Sequence, residues 1–536
     1  MVRLGSCFVL LAMAAGAESG PRYVGSKVCF GCHADIYRSF TKTAMGHSMR
    51  TPSDLGQSAI PADATVAAAS EGHTVRVFHD DSGWYQSEQE ANVFVDKHKL
   101  AYVIGSGANG LTPIVRRGEH LFQAPLSYYS KIGKWDLSPG YKHADLGFSR
   151  PVELECVLCH SGRPAPLADQ SGAYADPPFQ ELAIGCENCH GPGEFHAREP
   201  TRRGSIVNPA KLAPRLAENI CLNCHQGGDA RVLQPGKSDL DFRPGQWLID
   251  TVAIFKVPAM TRDSDLLEHH SAMKLSRCFR ESGGKLSCLT CHDPHVEPSA
   301  AEAPAYFRTK CLTCHTEDGC RLPKKARAAD DCAGCHMPKR SVAMISHSAL
   351  TNHRIPARRD EPFPQRQSPE GDDLLLVDPA EGRKAAIPDI TILHAYSEVA
   401  ALDPKYQQRF LELLDQLARV QPKTPFVQAA LGHKLLAEGK AAQALPHLSL
   451  GMALDEVTIY EDMAKALAAV GRDEEALECL RQATTAHPFD AVLMKMLTLQ
   501  YIKLKRFAEA RDQMQRYVEL FPEDPFMRGL LARVTK

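Results

Sequence analysis

The chain has 536 residues, of which 44% are hydrophobic and 24% charged, and a formal net charge of -2. That length exceeds what one core usually serves and makes room for two or more domains. The neutral balance lacks the basic footprint of a nucleic-acid binder. Beyond the first residues nothing approaches the ~18 to 20 consecutive apolar residues that cross a bilayer, so the mature chain is expected to carry no transmembrane segment.

At the N-terminus Arg3 precedes an apolar run over residues 7–14, which ends in Ala15-Gly16-Ala17. A charged start, a short apolar core and small residues at the end read as a cleaved secretory signal over residues 1–17, which predicts a periplasmic or otherwise exported protein.

Residues 18–354 are dominated by one pattern. Fourteen of the eighteen cysteines fall in Cys-x-x-Cys pairs, and a histidine follows each of the seven pairs. The motifs are Cys29/Cys32/His33, Cys156/Cys159/His160, Cys186/Cys189/His190, Cys221/Cys224/His225, Cys288/Cys291/His292, Cys311/Cys314/His315 and Cys332/Cys335/His336. Two thiols about one helical turn apart can add to the two vinyl groups on one edge of a porphyrin, and the next residue then offers its imidazole to the iron. The expectation is seven covalently attached haem c groups with seven proximal histidines, whose porphyrin faces supply much of the core around the motifs. Structural zinc would need four ligands from paired knuckles and has no use for a fixed adjacent histidine. A redox dithiol predicts one such motif beside a strand–helix unit. Outside the motifs, Cys278 and Cys320 read as a disulfide or as two buried thiols, the latter slightly favoured, and Cys479 as core.

The long stretch between His33 and Cys156 alternates in hydrophobicity and is broken by Gly, Asn and Asp, which predicts a small antiparallel sheet at about residues 70–135. His73, His79, His98 and His120 lie in it and are not expected to be ligands.

Function turns on the sixth iron ligand, since histidine on both sides makes a low-potential carrier and an open position permits substrate chemistry. After the third motif the chain reads Cys-His-Gly-Pro-Gly-Glu-Phe-His196, and after the fifth Cys-His-Asp-Pro-His295. The Gly and Pro residues turn the chain sharply and carry the second histidine away from the haem whose motif it follows. His196, His295, His347 and His353 are therefore the favoured distal ligands. Met45, His47, His143, His269 and His270 are further candidates.

These patterns resemble the multihaem superfamily that contains hydroxylamine oxidoreductase, its tetrahaem electron-acceptor cytochrome and pentahaem nitrite reductase, over roughly residues 23–354. The chain also resembles bacterial cytochromes that join such a region to tetratricopeptide repeats. The resemblance implies that His196 and His295 ligate haems other than those they follow. There are seven motifs rather than eight, no Cys-x-x-Cys-Lys is present, and no tyrosine matches the haem-crosslinking one of hydroxylamine oxidoreductase, so enzymatic activity is not implied.

Prolines among charges mark residues 355–388 as a linker. From residue 389 to 536 the chain is rich in Ala and Leu, and units align at the tetratricopeptide period of ~34 residues. Tyr460, Gly471, Ala476, Leu480, Ala483 and Pro488 mark the clearest unit, and Tyr501, Ala510 and Pro522 repeat it. A solenoid of helix pairs with a concave face would dock redox partner proteins or brace the haem region. A basic cluster around the seventh motif, including Arg321, Lys324, Arg354 and Arg358, reads mainly as solvated surface and propionate neutralisation.

The expected fold is an α-rich multihaem cytochrome region with a small antiparallel β insertion, followed by an all-α tetratricopeptide repeat solenoid. The expected role is electron transfer between partner proteins rather than catalysis. The rival expectation is a multihaem reductase or oxidase of a small nitrogen or sulfur compound at a haem with an open sixth position.

Overall fold

A computed structural model describes residues 20–534 apart from 58–59, 91–92, 143–145, 168–169, 226, 259–268, 317–319, 321, 323–330, 340–350, 359–360, 362–372, 378–385 and 523. The expected signal sequence, His143, His347, most of the expected linker and much of the basic cluster lie outside the described residues.

The expectation of an α-rich N-terminal region does not hold. Its described α-helices are four to nine residues long, and its largest described body is a sheet of nine antiparallel strands. The strands are β1 (Met49–Arg50), β2 (Asp63–Ala67), β3 (His73–Asp80), β4 (Gly83–Glu90), β5 (Val93–Ile104), β6 (Gly110–Arg117), β7 (His120–Gln123), β8 (Leu126–Tyr129) and β9 (Lys134–Leu137). Their order is β2-β3-β4-β5-β6-β8-β9, with β1 added to β5 and β7 to β6. The first and last strands approach each other, and Trp135 Nε1 donates to Pro61 O at 2.9 Å just before β2, so the sheet curls into a nearly closed barrel. Alternation drives this, because Val75 and Val77 on β3 point inward with Trp84, Leu100, Val103, Leu111, Val115, Leu126 and Trp135. Gln86 is fully buried and bridges the interior, accepting from Leu126 N and donating to Leu126 O, each at 2.8 Å.

Two smaller sheets follow, β10 (Gly162–Pro166) with β11 (Tyr174–Glu181), and β12 (Ala230–Leu233), β13 (Val252–Lys256) and β14 (Leu375–Leu376). The large sheet hands the chain to the second motif through Gln123 N donating to Arg150 O and Val152 N donating to Leu121 O, both at 2.9 Å.

The short helices are α1 (Ser26–Phe30), α2 (Ala34–Phe40), α3 (Leu154–Leu158), α4 (Cys186–His190), α5 (Glu194–Arg198), α6 (Pro214–Leu222), α7 (His269–Leu275), α8 (Arg277–Glu281), α9 (Cys288–Cys291), α10 (Ala303–Cys311) and α11 (Cys332–His336). Each of the seven motifs opens on one of them. Gly and Pro close behind several of the motifs end the helices after a turn or two, which is why the region contains so little continuous helix.

From residue 389 the chain is wholly helical: α12 (Asp389–Leu402), α13 (Gln407–Val420), α14 (Pro425–Ala437), α15 (Ala441–Gly451), α16 (Val457–Ala469), α17 (Asp473–Ala486), α18 (Ala491–Lys503), α19 (Phe507–Leu520) and α20 (Pro525–Val534). Successive helices pack as pairs through buried small and apolar side chains, among them Tyr460, Ala464, Ala476, Leu480, Ala483 and Tyr501. Cys479 is buried in the same core, as its place on an apolar face predicts. The turns inside three pairs pass through left-handed backbone at Gly439, Gly471 and Lys505, with φ of 76°, 79° and 60°. Among the described residues this helical-repeat region packs against the rest at several places, two of them apolar. Ile390, Leu393, Tyr396 and Val399 of α12 share a core with Ala230, Val232, Ala253 and Phe255 of β12 and β13. Phe489, between α17 and α18, packs against Phe122 and His120 of β7 with ring centroids 4.9 and 4.7 Å away. No described helix is long and apolar enough to cross a membrane.

Candidate functional site

Each motif folds around a single turn. The His33, His225, His292 and His315 amides donate to the carbonyls of Cys29, Cys221, Cys288 and Cys311 at 2.7 to 3.0 Å, while His190 and His336 lie inside α4 and α11. His160 uses the tighter bond to Val157 O at 3.1 Å. In this conformation the two thiols and the imidazole project from neighbouring positions on one turn. The described cysteines form no disulfide.

The motif cysteines differ in exposure. Cys32, Cys156, Cys314 and Cys335 are exposed, whereas the other ten are half-buried. The reason is local: Cys156 and Cys335 stand on one-turn helices at the surface, and Cys32 and Cys314 stand just behind the ends of α1 and α10. Outside the motifs Cys278 is half-buried and Cys320 exposed, and neither is in a disulfide, so the disulfide reading of this pair does not hold.

The motifs lie against one another. The Cys29 thiol lies beside that of Cys186, the Cys159 thiol beside that of Cys224, and the Cys221 thiol beside that of Cys288, so the first motif meets the third, the second the fourth and the fourth the fifth. The contact with Cys29 brings the Cys186 thiol down to about 7, whereas burial pushes Cys189 up to about 11. Burial, with Cys332 of the last motif nearby, pushes the Cys311 thiol up to about 11.

Three of the favoured histidines stand opposite a motif histidine. The ring centroids of His33 and His196 are 6.3 Å apart with planes 13° from parallel. His190 and His295 are 6.0 Å apart at 19°, and His292 and His353 6.3 Å apart at 28°. His269 lies 5.6 Å from His225 at 78° and 4.7 Å from His353 at 63°. In every near-parallel pair the second histidine follows a motif other than the one it faces.

The outer nitrogens are held. Nδ1 of His190 donates to Val207 O at 2.8 Å, Nδ1 of His353 to Thr351 O at 2.9 Å and Nδ1 of His336 to Pro356 O at 2.8 Å. His295 Nδ1 lies 3.1 Å from Asp293 Oδ1, and His196 Nδ1 3.4 Å from Ser205 Oγ. Tying Nδ1 fixes the tautomer and leaves Nε2 for a metal. Burial pushes His190, His225, His292 and His353 below the ordinary imidazole range and takes His269 to about 3, so these rings are neutral, the form that binds metal.

The remaining candidates are placed less directly. Met45 and His47 sit in a tight turn whose Ser48 Oγ donates to His160 O at 2.9 Å, beside the second motif rather than the first that precedes them. His270 is buried on α7 with Nε2 3.6 Å from Glu218 Oε2. His143 and His347 are outside the described residues. His73, His79 and His120 are strand residues, and His98 is bound up with Asp96 at 2.7 Å.

The residues present suit a haem. Large apolar side chains stand bare beside the motifs, with Val28 50%, Phe30 40%, Ile36 47% and Val296 44% exposed, as a flat apolar group needs from its surroundings. The open thiols of Cys32, Cys314 and Cys335 are likewise within reach of a porphyrin edge laid on the surface. Sequence reasoning missed the two residues inside the third motif, Glu187 and Asn188. Asn188 Nδ2 donates to Ser161 O at 3.3 Å, tying the third motif to the second, and Glu187 binds backbone on both sides. An acid between two motif cysteines was the available signal.

No protein-family model and no curated protein matches the chain. Solved structures do. The outer cell wall cytochrome OcwA is similar over 87% of this chain and 99% of its own, at 15% identity and a TM-score of 0.39. The repeat region is similar to MamA from Desulfovibrio magneticus RS-1, at 17% identity over 26% of this chain and 78% of that one, with a TM-score of 0.23. It is likewise similar to TTC0263, a tetratricopeptide repeat protein of Thermus thermophilus, at 18% identity over 27% and 90% of the two chains, with a TM-score of 0.22.

Proposed function

We propose that this chain is an exported multihaem c-type cytochrome that carries electrons between partner proteins, with a haem on each Cys-x-x-Cys-His motif and a tetratricopeptide region at its C-terminus. The observation that carries the reading is the set of three histidine pairs at 6.0 to 6.3 Å with nearly parallel rings. Two metal–imidazole bonds of ~2 Å plus two half-rings of about 1 Å span the same distance, so one iron fits between each pair. Cys29/Cys32, Cys186/Cys189 and Cys288/Cys291 would attach the three porphyrins, with His33, His190 and His292 as proximal ligands and His196, His295 and His353 as distal ones. His225 with His269, and His160 with Met45 or His47, would serve the fourth and second motifs.

A haem iron held by two histidines takes up and gives back one electron without opening a position for substrate. The chain's own residues supply the rest: short helices present the thiols, the Nδ1 acceptors fix the imidazoles, and the thiol contacts between motifs set neighbouring groups side by side. That adjacency favours a relay over isolated centres.

The test is the spin state of the oxidised protein by electron paramagnetic resonance. Low-spin signals of the two-histidine type are expected, and His295→Ala or His353→Ala should each convert one haem to high spin. A parent protein dominated by high-spin, ligand-accessible haem would favour the reductase or oxidase reading instead.

A further inference from the structure

We propose that Glu187, one of the two residues between the cysteines of the third motif, is the positioning residue that holds His196 opposite His33; this rests on the reading of those two histidines as ligands of one iron. Glu187 is 3% exposed on α4. Its carboxylate accepts from Val24 N at 2.9 and 3.0 Å, from Gly25 N at 2.7 Å and from Gly193 N at 2.7 Å. Gly25 immediately precedes α1, which carries Cys29, and Gly193 immediately precedes α5, which carries His196. One carboxylate thus fixes both sides of the first haem's site to the helix of the third motif.

The local sequence is built for this contact. A Cβ on Gly193 would lie 3.3 Å from Glu187 Oε1 and 3.3 Å from Val24 Cγ2, so glycine permits the close approach. The amides give the buried carboxylate three charge-assisted bonds, the stronger class of hydrogen bond, and truncation would leave three N–H groups unmatched, those of Gly25 and Gly193 buried. A second, outer latch acts on α5: Arg22 donates from N, Nε and Nη2 to Glu194 at 2.8 to 3.1 Å. Ser26 Oγ accepts from Cys186 N at 2.9 Å and joins α1 to α4 directly, so loss of Glu187 loosens α5 more than α1.

The test is carbon monoxide binding to the dithionite-reduced, full-length exported holoprotein, because carbon monoxide enters only where a sixth ligand is missing or leaves. His196→Ala should add one site per chain. Glu187→Ala should add most of that same site, Glu187→Gln less because the amide keeps one acceptor oxygen, and Arg22→Ala should speed entry severalfold without a full site. Gly432→Ala, which disturbs the distant repeats, should leave uptake at the parent value. If Glu187→Ala is not recovered with its haems, Glu187→Gln and Arg22→Ala carry the same test. Parent-like uptake in the Glu187 variants beside a new site in His196→Ala overturns the positioning role, as does an equal effect of Gly432→Ala. No new site in His196→Ala overturns the pairing of His33 with His196 itself.

Discussion

The ring nitrogen that faces away from the opposite histidine distinguishes these histidines from ordinary ones, because it is held by a hydrogen-bond partner. His295 takes both its backbone amide and its Nδ1 to Asp293 Oδ1, at 3.0 and 3.1 Å, so one carboxylate sets the turn and the ring. Removing such a support typically weakens a metal site tenfold or more. Asp293→Ala should therefore let imidazole or carbon monoxide displace His295 about tenfold faster in stopped-flow absorbance; an unchanged rate would show that packing alone orients the ring. That His196 and His295 lie away from the motifs they follow was legible in the sequence, because Gly-Pro-Gly and Asp-Pro announce a sharp turn between two histidines. The supports of His190 and His353 were not, since they are backbone carbonyls, at Val207 and Thr351, and a carbonyl has no sequence signature. Spacing gave the cysteine pairs but not their exposure, which at Cys32, Cys314 and Cys335 follows from where each short helix ends or lies on the surface. His269 was one candidate among several in the sequence, and only the meeting of α7 with the fourth motif brings it to His225.

At the level of elements, the repeats were the most readable part, because small residues recur where helices touch. A Cβ on Gly432 would lie 2.6 Å from Leu448 Cγ, so Gly432→Ala forces α14 and α15 apart and should cost about 1 to 3 kcal/mol in chemical denaturation. Gly471 and Lys505 occupy the same left-handed turn position, where a side chain costs about 1 kcal/mol. Lys505→Gly is thus expected to raise the melting temperature and Gly471→Ala to lower it; changes of the same sign would contradict the shared geometry. His394, stacked on Phe426 with centroids 3.4 Å apart, is pushed down to about 4 by burial. Its unfolded form takes a proton near pH 6.5 and its folded form only near 4, so repeat stability falls as pH drops through that window. His394→Leu should flatten the fall, which a pH series of melting curves reads directly. The N-terminal region was harder to read. Period-two alternation pointed to strands, but the curling of nine of them into one body depends on pairings such as β6 with β8 that no local pattern encodes. The expected α-rich region is instead a set of short helices, which Gly and Pro behind several of the motifs keep to a turn or two.

For the whole molecule, the repeats do more than extend from the end of the chain. The shared core of α12 with β12 and β13, the seat of Phe489 on β7, the ion pair of Arg528 with Glu90 and the 3.3 Å bond from Arg117 Nη1 to Leu520 O together clasp the sheet region. These contacts favour the bracing role over an array wholly given to partners. Phe489→Ala should cost about 2 kcal/mol and separate one cooperative unfolding transition into two; a single unshifted transition would mean that the clasp is not part of the folded core. The relay of motifs rests on a simpler premise, that every Cys-x-x-Cys-His turn carries a porphyrin. The most direct measurement is the intact mass of the denatured protein, exported from a host that matures c-type cytochromes. The mass of the mature chain plus seven haems is expected, and the mass of the mature chain alone would contradict the relay.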